Sequence, residues 1–385
     1  MLKVFVPKEV APGETRVAAT PETIKRMVKD GLEVTVEAGA GEGAFFADQV
    51  WKDAGAGLTS DAASAFAAAD LVLKVAPFQQ SPRVGGRDEA SLLKAGAVAI
   101  AFMAPHKNVP MVRMLVSRKV TGLAMELVPR ITRAQSMDAL SSQASIAGYK
   151  AVLIAATRLP RYFPMLMTAA GTISSSKVVI MGAGVAGLQA ISTAKRLGAV
   201  VWVSDVRPAV KEQVESLGGK FIEIPTQESG EGKGGYAKEM SAEFLAKQRA
   251  IITEHVRTAD AVITTALIPG RPAPRLVTAE MVQGMKPGSV VVDLAAEQGG
   301  NCELTEPGKE VVKHGVQIVG LLNLPASMPV DASVLYARNV VTLVAHLTKK
   351  GALNLELEDE ITKGTLLTHD GKVVHAPTAD LLAKA

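Results

Sequence analysis

The run KVVIMGAGVAGLQAISTAKRLGAVVWVSD, residues 177–205, constrains the fold more than any other stretch of the chain. It opens with a short Val- and Ile-rich segment and passes through a glycine cluster into a helical pattern. A second apolar segment follows and closes on Asp205. Strand, tight turn, helix and strand in that order make a parallel βαβ unit. Gly182-x-Gly184-x-x-Gly187 then has a physical division of labour. Gly182 permits the tight turn, Gly184 lets a pyrophosphate approach the backbone, and Gly187 lets helix and strand pack closely. The helix points its unpaired N–H groups at the phosphates. Asp205 follows Gly182 by 23 positions, about the spacing of an acid that holds a ribose. A carboxylate there accepts from both ribose hydroxyls and repels a 2′-phosphate, which favours NAD(H) over NADP(H). Arg207 argues the other way, because a nearby Arg is how such sites accommodate a 2′-phosphate. A glycine turn that packs strand on helix without any ligand is the alternative.

The rest of the chain repeats the alternation. KVFVP, EVTVEAG, LVLKV and AVAIAFM read as strands; TPETIKRMVKDG, SDAASAFAAAD and EASLLKAG read as the helices between them. Thr20 caps the first helix, Pro21 sits in its first turn and Gly31 lies just past its end. After residue 205 come GKFIEI, DAVITTA, SVVVDLA and VQIVGLLN, each short and bounded by Gly, Pro or Asp. Strands alternating with helices imply parallel sheets covered on both faces. At 385 residues the chain is too long for one core. The expected architecture is α/β, with two Rossmann-like doubly wound domains joined by long helices and a cleft between them. One domain takes residues 1–140 and 330–385, closed by a final helix and a hairpin turning at Asp370-Gly371. The other takes residues 141–329. A helix from about Met137 to Leu159 leads from the first to the second.

Composition narrows the function. Aromatics are 4% of the chain, the net charge is only +4, and no basic block interleaves with aromatics, so nucleic acid is not the expected partner. Cys302 is the single cysteine, which excludes an internal disulfide framework and a Cys-based metal cluster; no metal is expected. Pro7, Lys8 and Glu9 leave no room for a signal-peptide core, and AGAVAIAFMAP falls well short of the roughly 18 apolar residues of a membrane span. The expectation is a soluble chain in a reducing compartment.

MELVPRITRAQSMDALSSQ, residues 125–143, is the second unusual stretch, with Arg130, Arg133, Gln135, Asp138 and Ser141 close together. A solvated helix end is the plain explanation. A planar polar ligand is the other. A nicotinamide carboxamide has one acceptor and two donors, which suit Arg or Gln on one side and Asp on the other. Gln135 and Asp138, three apart, share one face of a helical turn. Arg130 can pair with Asp138 or reach a phosphate oxygen.

These segments, with PKEVAPGETRVAATPE, GGYAKEM, TTALIPGRPAP and MKPGSVVVDLAAEQGGN, resemble the NAD(H)-binding subunit (domain I, or alpha subunit) of proton-translocating nicotinamide nucleotide transhydrogenases over essentially the whole chain. The resemblance implies a homodimer that binds NAD(H) and meets an NADP(H)-binding domain of the beta subunit. Hydride passes between the two nicotinamides, coupled to proton translocation through membrane-spanning subunits. The chain is then cytoplasmic and peripheral to the inner membrane. By the same resemblance, Arg130, Gln135, Asp138 and Ser141 form the reaction-side set. Ile131, Thr132, Gly182, Gly184, Val185, Gly187, Asp205, Val206, Arg207, Ala266 and Leu267 contact the cofactor. Gly235 and Tyr236 belong to a mobile loop, spanning about 227–240, that closes over it.

Two rivals are weighed. Alanine dehydrogenases share the RVAATPE opening and use a Lys and a His to hold and protonate pyruvate. Lys74 matches that Lys and Arg16 can take a carboxylate, but Met103 stands at the His position and His106 lies three residues beyond. Met cannot serve as a general acid or base. A non-catalytic NAD(H) sensor is the third reading, and it leaves the 130–141 cluster without a purpose.

Overall fold

The computed structural model describes residues 1–225, 240–267 and 272–384. Gly235 and Tyr236 lie outside the described residues. The chain divides into two compact units, Met1–Gln143 with Pro325–Ala385, and Ala144–Leu324.

In the first unit the strands Lys3–Val6, Glu33–Glu37, Gly57–Thr59, Leu71–Leu73, Val98–Ala101 and Thr121–Ala124 form a parallel sheet. The third, second and first strands lie side by side, followed by the fourth, fifth and sixth. The order therefore reverses between Lys3–Val6 and Leu71–Leu73. The C-terminal strand Leu366–His369 adds antiparallel to Thr121–Ala124, and Lys372–Val373 adds to it through a two-residue turn. Asp370 and Gly371 both have positive φ, at 43° and 72°, as that tight hairpin demands. The helix Pro329–Leu347 buries Tyr336, Val340, Leu343, Val344 and Leu347 against this sheet's core. Each such side chain contributes about 1.5–3 kcal/mol, so the C-terminal segment is integral to the first core.

The second unit repeats the plan with Lys177–Met181, Val200–Ser204, Lys220–Phe221, Ala261–Thr264, Val290–Asp293 and Val316–Val319, all parallel. Here the order reverses between Lys177–Met181 and Ala261–Thr264. One edge strand, Glu310–Lys313, runs antiparallel to Val316–Val319.

Most predicted elements are present, the long helix as Ala139–Arg158. Three details differ. EASLLKAG makes only a 3-10 turn, Glu89–Leu92, because Leu93 goes extended (φ −67°, ψ 136°) and Gly96 takes a positive φ. The hairpin of Leu166–Thr168 and Gly171–Ile173 was not anticipated; its strands are three residues long, too short for a periodicity. The Glu310–Lys313 edge was also missed. No described helix is long and apolar enough to cross a membrane.

Candidate functional site

The glycine motif sits at the carboxyl end of the central strand of the second sheet, where the strand order reverses. In an open α/β sheet, that is where ligands bind. Gly182 has φ +103°, closed to ordinary L residues, and a Cβ there would come within 2.5 Å of the Thr265 hydroxyl. At Gly187 a Cβ would meet the Gly182 carbonyl at 1.9 Å, so only glycine lets the helix Val185–Arg196 approach its strand. Gly184 is the opposite case. Among the described residues, nothing lies within 4 Å of its Cβ position and no side chain caps the helix that begins there. Uncapped first-turn N–H groups of this kind suit an anion. Val185 and Leu267, 40% and 41% exposed, flank this edge with apolar surface.

Asp205 closes the next strand and is tied back to the turn. Its Oδ2 accepts from the Ala183 N–H at 2.7 Å and from Arg207 Nη2 at 2.8 Å. Its Oδ1 accepts from the Arg207 N–H and Nε, both at 2.9 Å. Val206, half-buried, is the link between the two ionic residues. The Gly184 backbone, with no described atom near its Cβ position, stands beside a carboxylate braced by the Ala183 N–H and by Arg207.

In the first unit, Pro129, Arg130, Ile131, Gln135, Asp138 and Ser141 line a depression of about 350 Å³. Residues Thr132–Met137 form a 3-10 helix, in which side chains three apart eclipse. Gln135 lies on this 3-10 helix and Asp138 just past its end, its N–H on the Gln135 carbonyl, and both line the depression. Gln135 is exposed, and its amide has no protein partner among the described residues. Asp138 is held more firmly, taking the Ser141 N–H at 2.9 Å and the Ser141 hydroxyl at 2.6 Å. It thereby caps the helix Ala139–Arg158, satisfying a first-turn donor. Arg130 is exposed on the rim, and Thr132 is exposed but does not line the depression.

Three residues of the alanine dehydrogenase reading, Arg16, Lys74 and Met103, are buried. Lys74 is wholly buried, with Glu9 and Glu89 oxygens both at 3.1 Å. Burial penalises its charge, yet the two carboxylates outweigh that and hold its pKa above the usual lysine value. Burial pushes the Glu9 and Glu89 carboxyls up in turn, against the pull of Lys74. Arg16 is taken by Glu14 at 2.7 Å and Gln143 at 2.8 Å. Met103 is fully buried, with its N–H on the Glu126 carboxylate, and His106 is exposed.

Two buried asparagines were missed by sequence reasoning. Asn301 takes the Ala266 N–H on its Oδ1 (3.1 Å) and donates through Nδ2 to the Ala266 and Pro274 carbonyls (2.9 and 2.8 Å). It fixes the loop that carries Ala266 and Leu267. Asn339, on the helix Pro329–Leu347, donates to the Ser136 carbonyl at 2.9 Å and accepts from the Ser142 hydroxyl at 2.7 Å. It clamps the chain on both sides of Asp138. A single Asn in an apolar helix stretch was the only available signal for the second.

Comparison with known proteins places the chain. Residues 5–147 match the family described as "Alanine dehydrogenase/PNT, N-terminal domain", and residues 151–376 match the corresponding C-terminal domain. An NAD(P) transhydrogenase alpha-subunit chain of Rhodospirillum rubrum is 54% identical over 381 residues, 97% of this chain and 98% of that protein. A transhydrogenase crystal structure from Sinorhizobium meliloti superposes with TM-score 0.86 at 50% identity, covering 96% of this chain and 99% of that one. An L-alanine dehydrogenase superposes with TM-score 0.83 at 27% identity, covering 100% and 99%. The chain belongs to the alanine dehydrogenase/PNT family and, within it, to the NAD(P) transhydrogenase alpha subunits.

Proposed function

We propose that the chain binds NAD(H) and presents its nicotinamide for direct hydride exchange with NADP(H) held by a partner domain. The open backbone at Gly184 beside the braced Asp205 carries this reading. The unit Ala144–Leu324 takes the pyrophosphate on Gly182, Gly184, Val185 and Gly187. It takes the adenosine on Asp205, Val206, Arg207, Ala266 and Leu267. The other unit, Met1–Gln143 with Pro325–Ala385, contributes Arg130, Ile131, Thr132, Gln135, Asp138 and Ser141, which orient the nicotinamide. Gly235 and Tyr236 of the 227–240 loop cover the cofactor. Hydride chemistry is the nicotinamide's own, so the protein needs no acid or base there. Its task is to hold one ring in reacting geometry and to exclude water. Gln135 is suited to this by its exposed amide, and Asp138 by being pinned to Ser141.

The active assembly is a homodimer joined to the NADP(H)-binding domain and to membrane-spanning subunits that couple the exchange to proton translocation. The chain is cytoplasmic and peripheral to the inner membrane. Self-association is supported by the hairpin that begins at Leu166. Tyr162, Met165, Met167 and Ile173 are 56%, 60%, 76% and 42% exposed there, an apolar surface costly to leave in water. Alanine dehydrogenase activity is disfavoured by Lys74, whose ammonium is already held by two glutamates. The test is to add an NADP(H)-binding transhydrogenase domain to the purified chain and assay hydride exchange. Exchange with no NADH oxidation by pyruvate and ammonium supports the reading; oxidation of NADH by pyruvate that requires ammonium, with the chain alone, overturns it.

A further inference from the structure

A carboxylate offers about four acceptor positions, and on Asp205 the protein itself fills that number. Two are taken by the backbone N–H groups of Ala183 and Arg207, which belong to the turn and do not leave without unfolding it. The other two are taken by Nε and Nη2 of Arg207, a flexible side chain. Arg207 is also the more accessible partner, 16% exposed against 5% for Asp205. A ribose with free 2′ and 3′ hydroxyls brings two donors, the same number that the guanidinium supplies.

We propose that Arg207 is a built-in competitor for the ribose position, which must swing off Asp205 before NAD(H) seats. This rests on the assignment of the adenosine end to Asp205. The exchange is one for one in hydrogen bonds, but not in charge. While the guanidinium is docked, the carboxylate is neutralised and the site is closed. Once it leaves, two acceptors and an uncompensated negative charge face the ligand. Two hydroxyl donors satisfy that charge; a 2′-phosphate is repelled by it. Arg207 therefore lowers affinity for every adenosine ligand, and its departure exposes the charge that selects against NADP(H). The two opposed readings of Asp205 and Arg207 in the sequence are thus two states of one pair.

The experiment uses the full chain and Arg207→Met, which keeps the apolar stem and removes the fork. NADH, 2′-deoxy-NADH and NADPH are each titrated by fluorescence, with thermal melting as a check on folding. The expected result is NADH binding tighter by about five- to tenfold, the scale of a bidentate pair no longer competing. The gain should shrink for 2′-deoxy-NADH, which brings one hydroxyl fewer, and NADPH should weaken relative to NADH. Arg207→Lys keeps a charge without the fork, so it should gain less; it also serves if the Met variant folds poorly. Weaker NADH binding in both variants would mean that Arg207 holds the cofactor more than it competes with it, and would overturn the proposal. Unchanged binding of all three nucleotides would overturn it too. An unmodified protein that binds no NADH would overturn the underlying assignment together with the proposal.

Discussion

The two sheets reverse their strand order at the same topological place and use it in opposite ways. In the second unit, the reversal opens onto a glycine turn with nothing among the described residues within 4 Å of Gly184's missing Cβ. In the first, the loops after Lys3–Val6 and Leu71–Leu73 bring Glu9 and Lys74 together with Glu89, and all three side chains are nearly inaccessible. One crevice is backbone left open; the other is filled by the chain's own charges. A shared fold therefore predicts where a ligand can bind, and the side chains at the crevice decide whether one does. The first unit's polar depression lies elsewhere, at 129–141, beyond the strand Thr121–Ala124.

The comparison breaks most readily at Lys74. Lys74→Met leaves Glu9 and Glu89 buried without their cation, a change that costs about 3–5 kcal/mol. A large drop in the melting temperature is expected, with NADH affinity of the folded fraction little altered. A selective loss of NADH binding at undiminished stability would mean that the first crevice also serves the nucleotide.

Gln135→Asn comes next and asks whether the first unit acts on the ring from outside its crevice. The amide withdraws by about one bond length, on the order of 1.5 Å, and a misplacement near 1 Å can lower a rate about a hundredfold. Stopped-flow hydride transfer with the partner domain should fall by that order, while NADH affinity changes by less than about tenfold. Equal losses in both would make Gln135 an anchor, and undisturbed transfer would return the stretch to a helix end.

Asp205→Ala tests the open crevice and should weaken NADH binding by about 1–3 kcal/mol, as expected when a charge-assisted hydrogen-bond site is removed. Part of that loss is indirect, because the Ala183 N–H loses its acceptor and the turn its brace. Equal affinity of the unmodified protein for NADH and NADPH would contradict the role of this carboxylate.

The smallest effect is a pH dependence confined to the closed side. Burial raises the Glu126 carboxyl, against the backbone N–H groups of Ala104 and Met103, and it raises Glu9 and Glu89 as well. A carboxyl that holds its proton more tightly folded than unfolded adds stability below the unfolded range. That contribution is lost as pH rises through the folded value. Melting temperature should therefore decline as pH rises above the ordinary carboxyl range, and Glu126→Gln should flatten the decline. An unchanged slope in that variant would remove Glu126 from the account.

Much of this organisation was legible in the sequence, and for local reasons. Thr20, Pro21 and Gly31 bound the first helix because capping and positive φ act within a few residues. Asp370-Gly371 placed the last hairpin for the same reason. The glycine roles followed from strand–turn–helix spacing, and Cβ distances of 1.9 Å at Gly187 and none within 4 Å at Gly184 give them their geometry. Gln135 and Asp138 were legible as neighbours, although not as a 3-10 turn held to Asn339 203 residues away through the Ser136 carbonyl.

The sequence alone determined the α/β alternation, the glycine turn with its acid and the polar stretch at 130–141, because each depends on spacing along the chain. Only the tertiary structure decided which groups are already taken. Glu9 and Glu89 reach Lys74 across 65 and 15 positions, and Asn301 reaches Ala266 across 35. Whether a charge is open to a ligand is a property of its surroundings in space. Composition and periodicity carry no record of that, since an ion pair forms wherever packing brings two side chains within about 4 Å.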